Sequence, residues 1–258
     1  MTQPASDILF ACDVGNTRAA VSLVVGGRIE QVVRVPLGAM DGLADCLRLD
    51  PAAACDARTA PVIASSVNPS ASDRLRVLAA ALTPAPLLLA RTDFPVPIAT
   101  SVDHPERVGV DRLLAALAAW GDGGRPVIVV DVGTAVTVDA VDAAGRFLGG
   151  SILPGPSLGA WALQQQTAAL PEVNLAAGPP AGAIGKNTES AIRAGLVLGT
   201  AGAVERLVAE QRRALGGLAT VVATGGALDL LRAALGCIDD VRPDLVLEGL
   251  VAAWRARR

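Results

Sequence analysis

The chain has 258 residues, 52% of them hydrophobic, and its 22 Lys plus Arg against 25 Asp plus Glu leave a net charge of −3. That supplies core for one large domain or two modest ones. It also speaks against a nucleic-acid surface, because no basic run precedes residues 255–258 and aromatics are only 2%, with Tyr absent.

No stretch approaches the roughly 18 unbroken apolar residues of a membrane span. No basic segment precedes Ile8, so no secretory leader is recognised and a cytoplasmic protein is expected. The four cysteines, Cys12, Cys46, Cys55 and Cys237, form no CxxC pair, and His104 is the single histidine. A zinc set or a hydrolase triad is therefore hard to assemble, and the thiols read as buried or incidental.

In chain order, Ile8-Leu9-Phe10-Ala11-Cys12 runs as a strand into Asp13-Val14-Gly15-Asn16-Thr17, and a second strand follows over 19–25. Gly26-Gly27 turns the chain into a third strand at 28–35. A helix is expected over 38–49, then a loose Ala-rich segment at 51–58, a strand at 62–66 and a turn with cap at Asn68-Pro69-Ser70. The helix at 72–82 carries its apolar face on Leu75, Leu78 and Leu82. A short strand at 87–89 and the extended Phe94-Pro95-Val96-Pro97 lead to Gly109-Val110-Asp111-Arg112. The helix at 113–120 places Asp111 in or near its first turn.

Val127 to Val130 form a β-branched strand ending at Asp131, and Gly133 permits a tight turn. Thr134, Val136, Val138 and Ala140 then alternate with Ala135, Thr137 and Asp139 as a period-two strand, and a third strand covers 146–152. Further expectations are a loop at 153–157, a helix at 158–169, a Gly/Pro/Ala loop at 178–185 and a helix at 188–214 with Thr188 as its N-cap. A strand at 218–223 stops at Thr224-Gly225-Gly226, a junction offering N–H groups before a helix at 227–235. A helix at 244–253 closes the chain.

Asp13 and Asp131 are 131 − 13 = 118 residues apart, about one domain length, and each ends a strand that turns on Gly into another strand. One Asp-x-Gly is common in hairpins. Two in the same setting indicate a duplicated unit, divided here as 1–115 and 116–258, whose turns aim backbone N–H groups and a hydroxyl at an anion.

Five motifs then occur in order: DVGNT at 13–17, GVDR at 109–112, DVGTAVTVD at 131–139, GGSILPG at 149–155 and TGG at 224–226. With Leu170-Pro171 and IGKNT at 184–188, they run through nearly the whole chain. Together they resemble the type III pantothenate kinases. The resemblance implies the actin/hexokinase/Hsp70 superfold: an α/β protein of two RNase H-like domains, each a mixed sheet flanked by helices, with a nucleotide cleft between them. It further implies a homodimer and the ATP-dependent phosphorylation of pantothenate to 4′-phosphopantothenate, the first step towards coenzyme A.

Residue by residue, the resemblance assigns ATP contacts to Asp13, Val14, Gly15, Asn16, Thr17 and Arg18, and to Thr134 from the second hairpin. These hairpins replace a Walker A cradle, which is missing. Asp13 would hold a hydrated Mg²⁺ and Asp131 a monovalent cation, K⁺ or NH₄⁺. Asp111 would accept the hydroxyl proton, with Val102, Gly109, Val110 and Arg112 lining the pantothenate pocket and Thr188 reaching it across the dimer. Taken alone, Asp111 would read as an acid favoured in a helix's first turn.

Family members commonly carry Tyr seven residues before the motif glycine, where this chain has Val102, a wall without a hydroxyl. A non-catalytic regulatory or transcription-activating relative would be expected to lack the carboxylates at 13, 111 and 131. Other small-molecule kinases of the superfold lack GVDR at this place.

Overall fold

The protein is described by a computed structural model covering residues 8–46, 59–121 and 123–257. The Ala-rich segment expected at 51–58, with Cys55, lies outside the described residues. The chain forms two compact units, one of Met1–Ile98, His104–Gly121 and Asp244–Arg258, the other of Ala99–Asp103 and Asp122–Pro243.

In the first unit, β1 (Ile8–Val14), β2 (Arg18–Val25) and β3 (Arg28–Pro36) form an antiparallel meander, and β4 (Val62–Ser66) and β5 (Leu87–Leu89) add in parallel in the order β3-β2-β1-β4-β5. β1 is central, so both its faces must be covered, which accounts for its near-continuous apolar run. Its even residues, Ile8, Phe10, Cys12 and Val14, pack with Leu75 and Leu78 of α1 (Ser72–Leu82) and with Met40 and Leu43. Its odd residues, Leu9 and Ala11, pack against α2 (Val110–Trp120) and the last helix, α6 (Leu245–Ala256), through Leu114, Leu247, Leu250 and Trp254. The two helices cross closely at Gly249, where an added Cβ would lie 2.0 Å from the Leu114 carbonyl oxygen.

The helix expected over 38–49 is absent as far as the described residues reach. Two 3-10 turns, Leu37–Gly42 and Ala44–Cys46, stand in its place. Gly38 and Gly42 each disfavour an α-helix by about 1 kcal/mol relative to Ala, while Met40 and Leu43 still plug the core.

The second unit repeats the plan. β7 (Val127–Val132), β8 (Ala135–Val141) and β9 (Arg146–Pro154) form the meander, and β10 (Thr220–Thr224), β11 (Asp240–Val241) and the two-residue β6 (Ala99–Thr100) complete the order β11-β10-β7-β8-β9-β6. Val197, Val204 and Val208 of α4 (Thr188–Ala214) cover Ile128, Val130, Val132, Val136 and Val138.

α3 (Pro156–Gln166) begins earlier than expected because Pro156 supplies a pre-set first helical position, and it stops at Gln166. The helix expected at 227–235 is one turn, α5 (Leu228–Leu231), followed by a 3-10 turn at Arg232–Ala234. Beyond it Glu205 of α4 accepts the N–H groups of Gly236 at 2.5 Å and Cys237 at 3.0 Å, which draws the chain out of helix. Thr188 is not the cap of α4. Asn187 caps it, accepting Ser190 N–H at 2.8 Å in a reciprocal capping box, and Thr188 is the first helical residue.

Candidate active site

Asp13 sits one residue from the end of β1, and its odd number turns it to the α2 side of the sheet. The parallel register pairs it with Ser65 of β4. The buried Ser65 hydroxyl donates to Asp13 Oδ1 at 2.5 Å. The turn that follows is closed by Gly15 N–H donating to the Arg18 carbonyl at 3.0 Å, and the Thr17 carbonyl accepts Leu37 N–H at 2.8 Å. Asn16, Thr17 and Arg18 are exposed, whereas the Val14 side chain is in the core, leaving its backbone as the group at the turn.

Burial pushes the Asp13 carboxyl up to about 6. The Ser65 hydrogen bond opposes this, the charge of Asp111 adds to it, and Arg34 pulls it back. Arg34 on β3 also donates to Asp244, which leads into α6.

Asp111 occupies the first turn of α2 and folds back on its own motif. Its Oδ1 accepts Arg112 N–H at 2.8 Å and stands where a Cβ on Gly109 would come within 2.4 Å of it. The torsions of φ −55 and ψ 135 are open to any residue, so a side chain at this position would have to displace only the end of the Asp111 carboxylate. Burial raises the Asp111 pKa, and the N–H and guanidinium of Arg112 oppose that rise. Val110 is core and Arg112 half-buried.

In the second unit, Asp131 stands in register with Thr224 of β10 and Thr137 of β8, on the sheet face turned away from Ile128, Val130 and α4. Gly225 follows Thr224 at φ +105. A Cβ there would lie 2.4 Å from both Asp131 Oδ1 and the Val132 carbonyl oxygen. Gly133 N–H donates to Ala135 and Gly155 N–H to Thr134, each at 2.9 Å, closing the turn around Thr134.

Of the N–H groups expected at the Gly225-Gly226 junction, those of Ala227 and Leu228 are committed to the carbonyls of Val132 and Gly225. Val102 Cγ1 lies 3.3 Å from where a Cβ on Gly149 would stand, an apolar contact with the GGSILPG strand. Thr188 is exposed beside an open groove lined by Leu163, Leu170, Ile192 and Leu196.

Among the described residues no group of three or more His, Cys, Asp or Glu side chains could hold a metal ion, and no helix is long and apolar enough to cross a membrane. His104 is exposed and pairs with Glu106 at 3.4 Å. Ser65 and Arg34 were not among the residues singled out from the sequence. The period-two pattern of Val62-Ile63-Ala64-Ser65 held the signal for Ser65, because Ile63 faces the α2 side and Ser65 therefore does too.

Two meanders, each with an Asp-x-Gly turn and parallel strands added beyond a helical crossover, define the class: a protein of the actin/hexokinase/Hsp70 superfold. The chain is similar in fold to a protein described as a Baf family transcriptional activator from Campylobacter jejuni, at TM-score 0.61 and 17% identity, with 96% of this chain and 98% of the other covered. It is also similar to the activator of 2-hydroxyisocaproyl-CoA dehydratase from Clostridium difficile with bound ADPNP, at TM-score 0.51 and 14% identity, covering 96% and 94%.

Sequence is more specific. The profile of the type III pantothenate kinases matches residues 9–210. The type III pantothenate kinase of Thermus thermophilus is 39% identical over 265 residues, covering 95% of this chain and 97% of the relative, and that of Nitratidesulfovibrio vulgaris is 36% identical over 252, covering 94% and 95%. The chain belongs to the type III pantothenate kinase family.

Proposed function

We propose that this chain transfers the γ-phosphoryl group of ATP to the primary hydroxyl of pantothenate, opening coenzyme A biosynthesis, with Asp111 as the proton acceptor. The observation that carries the assignment is the fold-back of Asp111 over Gly109 at the start of α2, within electrostatic reach of Asp13. A carboxylate whose pKa burial has raised is a better base than one in water, and the Arg112 N–H and guanidinium oppose that rise and so favour its anionic form.

Asp13, Gly15, Asn16, Thr17 and Arg18, with the Val14 backbone, form the first phosphate turn, and Thr134 belongs to the second. Arg112 grips an oxygen of pantothenate beside Gly109 and the backbone of Val110, and Val102 supplies an apolar wall. Asp13 fits a hydrated divalent ion. It offers a hard oxygen that burial leaves short of compensating charge, and Mg²⁺ keeps several waters and takes few protein ligands. When bound, Mg²⁺ would offset negative charge on the phosphates.

Asp131, pressed against the Gly225 backbone, is the ligand for K⁺ or NH₄⁺. A homodimer brings Thr188 of one chain to the pantothenate of the other. The cytoplasm, where ATP is maintained, is the compartment such a reaction needs, and fractionation of the source cells checks it.

The test is a phosphoryl-transfer assay with ATP, pantothenate, Mg²⁺ and K⁺, run on wild type and Asp111→Asn. Wild type should give ADP and 4′-phosphopantothenate, and absence of product from folded protein at millimolar substrate removes the proposal. Asp111→Asn should lower kcat about 10²-fold or more, the scale of a positioned base, with ATP affinity by direct titration retained. Activity within a few-fold of wild type would move the proton acceptor elsewhere, to Asp13 first.

A further inference from the structure

Among the described residues one non-glycine has a positive φ: Arg91, at φ 72. An L-residue with a long side chain is disfavoured there, and such positions persist when the surroundings fix them, often beside functional sites. The surroundings do fix it. Arg91 N–H donates to the Phe94 carbonyl at 2.7 Å, Thr92 and Asp93 N–H groups donate to the Leu89 carbonyl at 3.2 and 2.8 Å, and the Asp93 carboxylate accepts Leu89 N–H at 2.7 Å. This turn follows directly on β5, so Arg91 projects from a sheet-anchored base.

The Arg91 guanidinium reaches a different segment. Nη1 donates to the Val108 carbonyl at 2.6 Å and Nη2 donates to the Pro105 carbonyl. Both carbonyls belong to the short 3-10 turn Pro105–Arg107 and the residue after it, immediately ahead of Gly109. The polar side chains of this loop, His104, Glu106 and Arg107, are exposed and pair with one another. A two-pronged, charge-assisted grip on two carbonyls fixes orientation as well as distance. Any movement of Val108 passes to Gly109, against which the Asp111 carboxylate is folded.

We infer that Arg91 is a positioning residue for the acceptor motif: from a constrained turn it clamps the loop 105–108 and so sets where Gly109, Asp111 and Arg112 stand. The inference rests on reading that motif as the pantothenate site. Lys cannot replace the clamp fully, because a single ammonium cannot reproduce the planar fork. Gly at this position keeps the left-handed backbone and deletes the grip.

The experiment measures Arg91→Gly and Arg91→Lys beside wild type and Asp111→Asn, reading kcat/KM for pantothenate, ATP affinity by titration, and Tm. Arg91→Gly should lose about 10- to 100-fold in kcat/KM for pantothenate, the scale of an ångström of misplacement, with ATP affinity and Tm held. Arg91→Lys should fall between it and wild type, and guanidinium ion at millimolar concentration should restore part of the activity of Arg91→Gly. A pantothenate kcat/KM within about twofold of wild type in both variants overturns the clamp. So does a loss matched in ATP affinity or accompanied by a lowered Tm in Arg91→Lys as well as in Arg91→Gly. If Asp111→Asn keeps its activity, the motif reading has failed. If Asp111→Asn is inactive while both Arg91 variants are normal, only the clamp has failed.

Discussion

Asp13 illustrates at the residue scale how burying a carboxylate works against stability. Its carboxyl would titrate near 3.8 in the unfolded chain and does so at about 6 in the folded one, with burial the main cause. Between those values the native state binds more protons than the unfolded state, so unfolding free energy falls as pH rises through the window. The difference, about 2 units, corresponds to about 3 kcal/mol lost above pH 6. Asp13→Asn should therefore raise Tm by about 6–12 °C at pH 8 in the absence of nucleotide and do little at pH 4, while removing activity. For a chain of this size about 1 kcal/mol corresponds to 2–4 °C. Ser65→Ala removes a hydrogen bond that lowers this pKa and should shift the acid limb of kcat/KM to higher pH. An Asp13→Asn protein less stable than wild type at pH 8, measured by calorimetry, would contradict this account.

The two hairpins were the most legible elements, because period-two alternation and an Asp-x-Gly turn determine strand, turn and face together. Strands β7 and β8 fall within a residue or so of the expected bounds, and α4 spans the expected 188–214. What was not legible depended on partners far along the chain. A two-residue strand such as β6 has no period of its own, a 3-10 turn at 37–42 buries Met40 as a helix would, and amphipathicity in α6 does not say which sheet it covers. Gly225 was legible as a strand-helix corner and Gly109 only through the GVDR motif, yet each forms a seat beside a carboxylate, a role visible only once side chains are placed. That seat makes a prediction for the second hairpin. A unit charge 4 Å from a cation is worth about 1 kcal/mol in water and about 4 near a protein surface. Asp131→Asn should then raise the half-activating K⁺ concentration at least about fivefold, with Tm little changed because the strand-end carboxylate contributes nothing to the valine core. An unchanged activation curve would take the cation away from Asp131.

At the scale of the whole molecule, the open question is how many chains make one active site. The second unit leaves Ile152, Trp161 and Ile184 exposed at 63, 56 and 88%, and the groove beside Thr188 is walled by leucine and isoleucine. Exposed large apolar side chains and an apolar groove are what an interaction surface offers, and closed two-fold pairing is the commonest way to cover one. The protein should run at twice its 26.0 kDa chain mass in light scattering, and Trp161→Glu, harmless on a free surface, should shift it towards the monomer. Mass alone would leave the role of Thr188 undecided, so the decisive measurement mixes two inactive variants. Asp111→Asn lacks the proposed proton acceptor, and Thr188→Arg would block the groove. If Thr188 serves the partner's site, a mixed dimer holds one doubly altered site and one with both residues native. Random re-pairing makes about half the dimers mixed, so about a quarter of all sites are restored. Activity should therefore appear on mixing, slowly, at the rate of subunit exchange. A mixture that stays as inactive as its components, in a protein shown to exchange subunits, would place Thr188 in its own chain's site or in none.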